Sequence, residues 1–504
     1  MITIQYNREG LEYDSHAMIT SFYPGTESKQ MLVTDLTEPL PADTIRIVMD
    51  AERETGSVSF ARGEILPEDQ AYVFTPPAGG KSADFKHAWK LFFYDTLAAY
   101  AGRTLPWGAL SGVRPTKLIM AKAKEIARGD ILSEEEEMQA VCRSMAAEYR
   151  VSAQKAELGY RIAMLEDRIL EPFRYEGQGQ EGYSIYIGIP FCPSTCLYCS
   201  FLSYPIAAKQ KQVGAYLEGV KQEMAAAAEI MSDKRLDTVY IGGGTPTALS
   251  AAELEVLLDG IRSLLPMETV QEYTVEAGRP DSITAEKLQV MKKYGVSRIS
   301  VNPQTFSDAT LKLIGRHHTV EQLYEAFALA RAEGFDNINM DLILGLPGET
   351  IADVEHTFAK VRGLAPDSLT VHSLAVKRAS RMKDWIREHG QITGLDYERA
   401  MQLGQETAAA LGMKPYYLYR QKNMAGALEN TGFAREGRYG LYNILIMEEV
   451  QSIYAIGAGT VSKRVFTDGS GRIERCDTHK DLSLYLSDIE AMIERKRRLF
   501  GNEE

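Results

Sequence analysis

The chain has 504 residues, 45% apolar and 25% charged, with a net charge of −13. This is ordinary globular composition, and the acidic balance argues against a broad nucleic-acid-binding face, which needs cationic side chains to displace counterions. Of only five cysteines, three are clustered, which argues against a disulfide framework and for a metal site or reactive thiols. The opening MITIQYNREG lacks a basic segment followed by an apolar one, and no apolar run reaches membrane-spanning length. The expectation is a cytoplasmic protein with no membrane span.

Residues 1 to about 80 read as short strands: MITIQY, MLVTDL, TIRIVMDA and AYVFTP. From 84 to about 174 the spacing is helical, in DFKHAWKLFFYDTLAAYAG, PTKLIMAKAKEIARG, SEEEEMQAVCRSMAAEYR and SAQKAELGYRIAMLEDRIL. The third opens with a capping signature, Ser133 followed by acids, and its EEEE run reads as a solvated first turn. Cys142 in this helix, and Cys476 in a polar stretch, read as structural. YEGQGQEGYS, rich in Gly and Gln and without periodicity, is taken as a linker. Residues 1–176 are thus expected to form an α+β domain.

Beyond the linker, short apolar runs alternate with helical segments. The runs are SIYIGI from 184, DTVYIGGG from 237, EYTVEAG from 272, SRISVNPQ from 297, NINMDLILG from 337 and SLTVHSLAV from 368. Six strands alternating with helices imply an α/β fold on a parallel sheet, open or curled into a partial (β/α)6 barrel, over 177–390. In such barrels the chemistry lies at the C-terminal strand ends. Polar and glycine residues collect there: Cys192 onward, Gly242 to Thr245, Glu276, Gln304 and Asp341. Residues 391–504, partly helical, form a third region with KPYYLYRQKNMAG and the glycine-containing AIGAGTVSK.

The first strand runs into Cys192, Cys196 and Cys199, spaced C-x3-C-x2-C. Structural zinc usually takes four ligands in two separated pairs, and no second pair exists. A redox C-x-x-C needs only two. Three thiolates suit a cubane iron–sulfur cluster with one iron left open, full cysteine ligation being four. Zinc completed by a distant histidine, or unreactive loop thiols, are the other readings of the spacing alone.

C-x3-C-x2-C after a strand, with Tyr198 before the last cysteine, resembles the radical S-adenosylmethionine (SAM) signature. YIGIPFCPSTCLYCSF, GGGTPT, TVEAGRPD, RISVNPQTF with LIGRHH, and DLILGLPGET resemble, in that order, the oxygen-independent coproporphyrinogen III dehydrogenase family. PWGALSGVRPTKL and YYLYRQKNMAG resemble its HemZ-type branch in particular. The resemblance implies a TIM-like partial barrel with a HemN-type C-terminal region covering substrate. It implies a [4Fe-4S] cluster on Cys192, Cys196 and Cys199, with the non-cysteine-ligated iron open to SAM. It further implies SAM contacts from Tyr186, Tyr198, Gly243, Gly244, Thr245, Glu276 (to the amine), Gln304, Arg316, Asp341 (to the ribose) and Ala375. His317 and His318 read as loop residues. Tyr417, Tyr419, Arg420, Lys422 and Asn423 are candidates for a tetrapyrrole, aromatics on its face and cations on its propionates. One departure stands out: Gly188 occupies a position where family members often carry His.

The implied activity is oxidative decarboxylation. A flavodoxin- or ferredoxin-type donor reduces the cluster, SAM is cleaved to a 5′-deoxyadenosyl radical, and a substrate propionate loses a hydrogen atom, CO2 and one electron to become a vinyl group. Done twice on coproporphyrinogen III, this gives protoporphyrinogen IX in haem biosynthesis without oxygen. The alternatives are a haem chaperone of the same family, another radical SAM activity on a tetrapyrrole such as haem breakdown, and a zinc-bound structural protein.

Overall fold

The computed structural model describes residues 1–501 apart from 9–11, 25, 51–54, 76–81, 111–113, 129–131, 176, 178, 378–379, 391–393 and 422–424. Contacts group these into two compact units. One comprises 1–163 with 419–429, the other 164–418 with 430–504. No helix among the described residues is long and apolar enough to cross a membrane.

The first unit carries a five-stranded sheet: β1 (Ile2–Tyr6), β2 (Ser28–Leu32), β3 (Thr44–Asp50), β4 (Thr55–Ala61) and β5 (Gln70–Phe74), in the order β2-β1-β3-β4-β5. β2, β1 and β3 are parallel; β4 and β5 are antiparallel. Period-two alternation turns Ile2, Ile4, Ile45, Ile47, Val58 and Phe60 into one core with Phe93, Tyr94 and Leu97 of helix Ser82–Ala101. Helix Glu134–Tyr149 starts on the expected cap. Ser133 and Glu136 exchange side-chain and backbone bonds, and the four glutamates form the first turn.

The second unit holds the six expected strands: β6 (Gly182–Ile189), then past the short β7 (Phe191–Cys192) and β8 (Tyr204–Pro205), β9 (Arg235–Gly243), β10 (Glu272–Val275), β11 (Arg298–Ser300), β12 (Ile338–Leu344) and β13 (Ser368–Ser373). They lie side by side in chain order, all parallel. Helices such as Ile206–Ile230, Ala251–Leu264, Val320–Ala332 and Ile351–Leu364 connect them, the second and third opening on capping boxes at Ser250/Glu253 and Thr319/Gln322.

The C-terminal residues extend this sheet. β14 (Lys414–Tyr419) and β15 (Asn430–Ala434) continue it beyond β13. β16 (Ser452–Ile456) runs parallel beside β6, followed by the antiparallel β17 (Val461–Val465) and β18 (Ile473–Asp477). The result is one eleven-stranded sheet with the (β/α)6 unit at its centre.

The central strands are buried on both faces, but the faces differ. One carries Ile185, Ile187, Val239, Ile241, Val275, Ile299, Met340, Leu342, Leu369 and Val371. The other carries Ser184, Thr238, Glu272, Thr274, Arg298, Asn339, Ser368 and Thr370. Burying polar groups is tolerable only when they are bonded, and these bond to one another. Thr238 donates to Ser184 at 2.7 Å, Arg298 to Ser368 at 2.9 Å, and Ser368 to Asn339 at 3.1 Å.

Candidate functional site

β6 delivers the cysteine loop, and β7 paired with β8 closes its base. Inside it the Cys199 N–H donates to the Cys196 carbonyl at 3.3 Å. The segment after helix Asp308–Leu313 clasps it: the Leu197 N–H donates to Ile314 O at 2.8 Å, and Ser194 Oγ to Gly315 O at 3.0 Å. Arg381 Nη2 donates to Thr195 O at 2.6 Å. Cys192 and Cys196 are buried and Cys199 half-buried. Burial pushes the Cys192 thiol up to about 11 and raises that of Cys199. Such thiols stay protonated until a metal supplies the charge that displaces the proton.

Two guanidiniums face this loop. Arg279 Nη1 donates to Ser194 O (3.1 Å) and Oγ (2.8 Å) and lies 4.0 Å from Cys196 Sγ, while its Nη2 and Nε hold Asp281 at 2.6 and 3.0 Å. Arg316 Nη1 donates to Asn302 O at 2.8 Å, and its guanidinium also engages the Tyr198 hydroxyl and Cys196. His318 is buried near both arginines with neither ring nitrogen bonded, and burial followed by the Arg316 charge pushes it down to about 3. It is neutral. His317 is exposed.

The glycine-rich end of β9 presses on the same loop. Gly244 N–H donates to Ile189 O and Thr245 N–H to Phe191 O, both at 2.7 Å, and Thr245 Oγ1 lies 3.4 Å from Cys192 Sγ. Gly243 has φ +101°, and a Cβ on Gly244 would meet Phe191 O at 2.6 Å and Cys192 Sγ at 3.0 Å. Here glycine is a requirement of close approach.

Below this rim lies the polar face. Glu276, just past β10, accepts from the Tyr240 hydroxyl at 2.6 Å, and burial raises its carboxyl to about 7. A Cβ on Gly242 would come within 2.8 Å of Glu276 Oε2, so that glycine makes room for the carboxylate. Asp341 sits within β12 rather than after it, accepting from Asn339 Nδ2 at 2.7 Å with His372 Nε2 3.9 Å away. Burial opposes its ionisation, but the His372, Asn339 and Thr370 interactions outweigh it and hold the carboxyl low. Gln304 has φ +66°, unusual for a residue with a side chain, and its Oε1 is buried without a partner. Strain of this kind clusters at functional sites. Tyr186 stacks with Tyr240 and with Tyr442, each at 6.2 Å, and Tyr240 with Tyr442 at 4.5 Å. Ala375 is half-buried, two residues past β13 rather than on it.

The structure therefore brings the cysteines, Tyr186, Tyr198, Gly243, Gly244, Thr245, Glu276, Gln304, Arg316, Asp341 and Ala375 to one end of the parallel strands and its polar face. Arg279 and Tyr442 belong with them but were not singled out from sequence. Arg279 is one more residue of the quoted TVEAGRPD. Tyr442 comes from helix Leu441–Glu448, far along the chain.

The substrate candidates fall differently. Tyr417 is buried on β14, its ring over Gly432, and Tyr419 ends that strand. Arg420 is half-buried in the first unit, donating to Leu110 O at 2.6 Å and Ala427 O at 3.2 Å, 5.7 Å from the Trp107 ring. Burial lowers its guanidinium to about 10. Its Nε is buried without a partner among the described residues. Lys422 and Asn423 lie outside the described residues.

The donor set fits an iron–sulfur cluster. Three thiols share one loop, backed by guanidiniums and a rim without Cβ atoms. Beside the rim, the Gln304 oxygen has no protein partner, as a group that bonds a bound ligand would.

This fold and cysteine loop define a class, and the Radical SAM superfamily model matches residues 186–361. That superfamily implies a [4Fe-4S] cluster and SAM. The chain is 39% identical over 460 residues, 88% of each sequence, to an oxygen-independent coproporphyrinogen-III oxidase-like protein HemZ of Bacillus subtilis, and it belongs to the HemN-type radical SAM family in that HemZ branch. Heme chaperone HemW of the same organism is 42% identical over 195 residues, 38% of this chain and 51% of HemW. The solved coproporphyrinogen III oxidase HemN of Escherichia coli is 22% identical, with a TM-score of 0.49, over 66% of this chain and 73% of that one.

Proposed function

We propose that the chain is a radical SAM enzyme that converts propionates of coproporphyrinogen III to vinyl groups, giving protoporphyrinogen IX without oxygen. The observation that carries this is the reach of the likeness to the oxidase-like HemZ protein, which covers 88% of both chains and so extends well beyond the radical SAM core. Cys192, Cys196 and Cys199 would hold the cluster. Gly243, Gly244, Thr245, Glu276, Gln304 and Asp341 would hold SAM, with Tyr186, Tyr198, Arg316 and Ala375 lining the same place. When bound, cluster and SAM supply a carbon-centred radical that abstracts hydrogen from an unactivated carbon.

The chain's own part is orientation and exclusion of water. The Tyr240 hydroxyl aims the Glu276 carboxylate, which would pair with the SAM amine. Asn339 and His372 keep Asp341 ionised to accept from ribose hydroxyls. Arg279 and Arg316 fix the cysteine loop and place positive charge beside it. The buried polar face keeps the radical away from solvent. At each propionate the substrate would lose a hydrogen atom, CO2 and an electron, the last passing to a separate one-electron acceptor, while a low-potential flavodoxin- or ferredoxin-type donor supplies the electron that starts each cycle. An iron left without a cysteine implies oxygen sensitivity.

The second reading is a haem chaperone, favoured by the 42% identity to HemW over 38% of this chain. Anaerobic reconstitution with iron and sulfide, followed by reduction and addition of SAM with coproporphyrinogen III, separates the two by mass. 5′-Deoxyadenosine with a tetrapyrrole lighter by two CO2 and four hydrogens supports the enzyme. 5′-Deoxyadenosine with an unchanged tetrapyrrole refutes that substrate, and tight haem binding without turnover supports the chaperone.

A further inference from the structure

One buried cluster lies outside the site just described. Helix Ile489–Phe500 carries Lys496 and helix Ile206–Ile230 carries Glu223; both side chains are fully buried and form an ion pair. Glu223 Oε2 accepts from the Gly457 N–H at 2.8 Å and from the Tyr485 hydroxyl at 2.6 Å. Lys496 Nζ also donates to the Ala455 carbonyl. The Tyr216 hydroxyl donates to Gly188 O at 2.5 Å and accepts from the Ala458 N–H at 3.1 Å.

These contacts converge on the loop after β16, the AIGAGT stretch, and that loop meets both limbs of the cysteine loop. Before Cys192, a Cβ on Gly188 would lie 2.6 Å from Thr460 Cγ2, and a Cβ on Gly457 would lie 2.6 Å from Gly188 O. After Cys199, a Cβ on Gly459 would lie 2.8 Å from Leu202 Cδ2. Thr460 thus fills the space that any side chain at 188 would need. Thr460 is itself tethered, its Oγ1 donating to Gly457 O at 2.8 Å and its N–H to Thr478 Oγ1 at 2.9 Å.

A fully buried ion pair adds little net stability, because desolvation offsets the attraction, and apolar replacements of both partners are often neutral. Its hydrogen bonds, however, fix where their backbone partners sit. We propose that Glu223, supported by Lys496 and Tyr485, is a positioning residue for the radical site: it holds residues 457–460 as a wall against both limbs of the cysteine loop and so sets the geometry in which SAM is bound. This rests on the reading of the site as a radical SAM centre and extends it to residues outside the cysteine loop and glycine rim.

Two double variants test it. In E223Q/K496M the amide oxygen still accepts from the Gly457 N–H; in E223L/K496M a side chain of similar size cannot. Both are expected to melt within about 3 °C of the unmodified protein. Hydrogen exchange of the 455–460 amides needs no cofactor: E223Q/K496M retains protection, and E223L/K496M loses about tenfold or more. After anaerobic reconstitution E223L/K496M is expected to keep its iron but to bind SAM about tenfold more weakly, with an altered SAM-induced change in the electron paramagnetic resonance of the reduced cluster. Equal protection and equal SAM affinity in both variants overturn the proposal. Lost protection with unchanged SAM affinity refutes the positioning role and leaves an anchor only. Should E223L/K496M fail to fold, Gly188→Ala pushes on Thr460 from the opposite side and is expected to weaken SAM in the same way; unchanged SAM affinity in that variant also overturns the proposal. An unmodified protein that assembles no cluster refutes the reading of the site itself, while hydrogen exchange still decides whether Glu223 anchors the loop.

Discussion

Replacing Glu276 by Gln tests the site at its most perturbed acid. Burial lifts this carboxyl from 4.5 to about 7, a difference of about 3 kcal/mol between its two protonation states. The sign follows from linkage. Below pH 4.5 it is protonated folded and unfolded; between 4.5 and about 7 only the unfolded chain ionises, so stability falls as pH rises and levels off above 7. Urea unfolding of cluster-free protein at pH 5, 6, 7 and 8 should show Glu276→Gln gaining on the unmodified chain by about 3 kcal/mol across that window. After reconstitution the expectation reverses. Pairing with the SAM amine requires the ionised form, so SAM affinity of the unmodified protein should rise roughly eightfold from pH 6 to pH 7.5, while Glu276→Gln binds weakly and without that rise. Parallel stability curves would refute the buried-acid argument, and unimpaired SAM binding by the variant would refute the pairing.

Alanine at Cys192, Cys196 or Cys199 should abolish iron retention and brown colour, whereas Cys142→Ala and Cys476→Ala should keep both; iron analysis after reconstitution decides. Gly244→Ala forces a Cβ against the Phe191 and Ile189 carbonyls, at 2.6 and 2.9 Å, and should cost about 1–3 kcal/mol with reduced cluster loading. Lys155→Met removes the ammonium paired at 2.5 Å with the fully buried Glu429, which also accepts from Trp107 Nε1 at 2.7 Å. A loss of about 3–5 kcal/mol is expected in the urea midpoint, and a loss below about 1 kcal/mol would contradict it. Arg279→Met withdraws both bonds to Ser194 and should lower cluster retention, with partial recovery in Arg279→Lys, read from the visible spectrum over time in air.

The six central strands were legible because a strand buried on both faces reads as a short apolar run between helical segments. The polar face was less so. Its Ser, Thr and Asn look like surface residues until the pairing of β6, β9 and β11 to β13 turns them toward one another. In the first unit, β4 (TGSVSFA) and helix Glu12–Phe22 were not read, the helix because its apolar spacing is slight, and the strand read from Met31 lies instead over Ser28–Leu32. The position of the cysteine loop after the first strand of the sheet was legible from spacing, but its chemistry only from the family resemblance. Arg279 and Tyr442 were not, since their roles come from a guanidinium folding back on Ser194 and from a tyrosine stacking on strands more than 190 residues earlier. Arg420 shows the converse: a basic residue among tyrosines suggests a ligand, yet its guanidinium is turned onto two carbonyls of its own unit.

The pairing of β16 with β6 has a bearing on biosynthesis. Tyr183 emerges from the ribosome long before Ser452, its partner across the sheet. At ordinary elongation rates the strand that leads into Cys192 waits roughly 15–55 s for that neighbour. Until then one edge of β6 is open, and the cysteines lack their wall. With the cysteine loop holding a cluster as proposed, its finished geometry waits for the C-terminal strands, and a chain cut short before residue 450 is expected to retain less iron on reconstitution than the full chain.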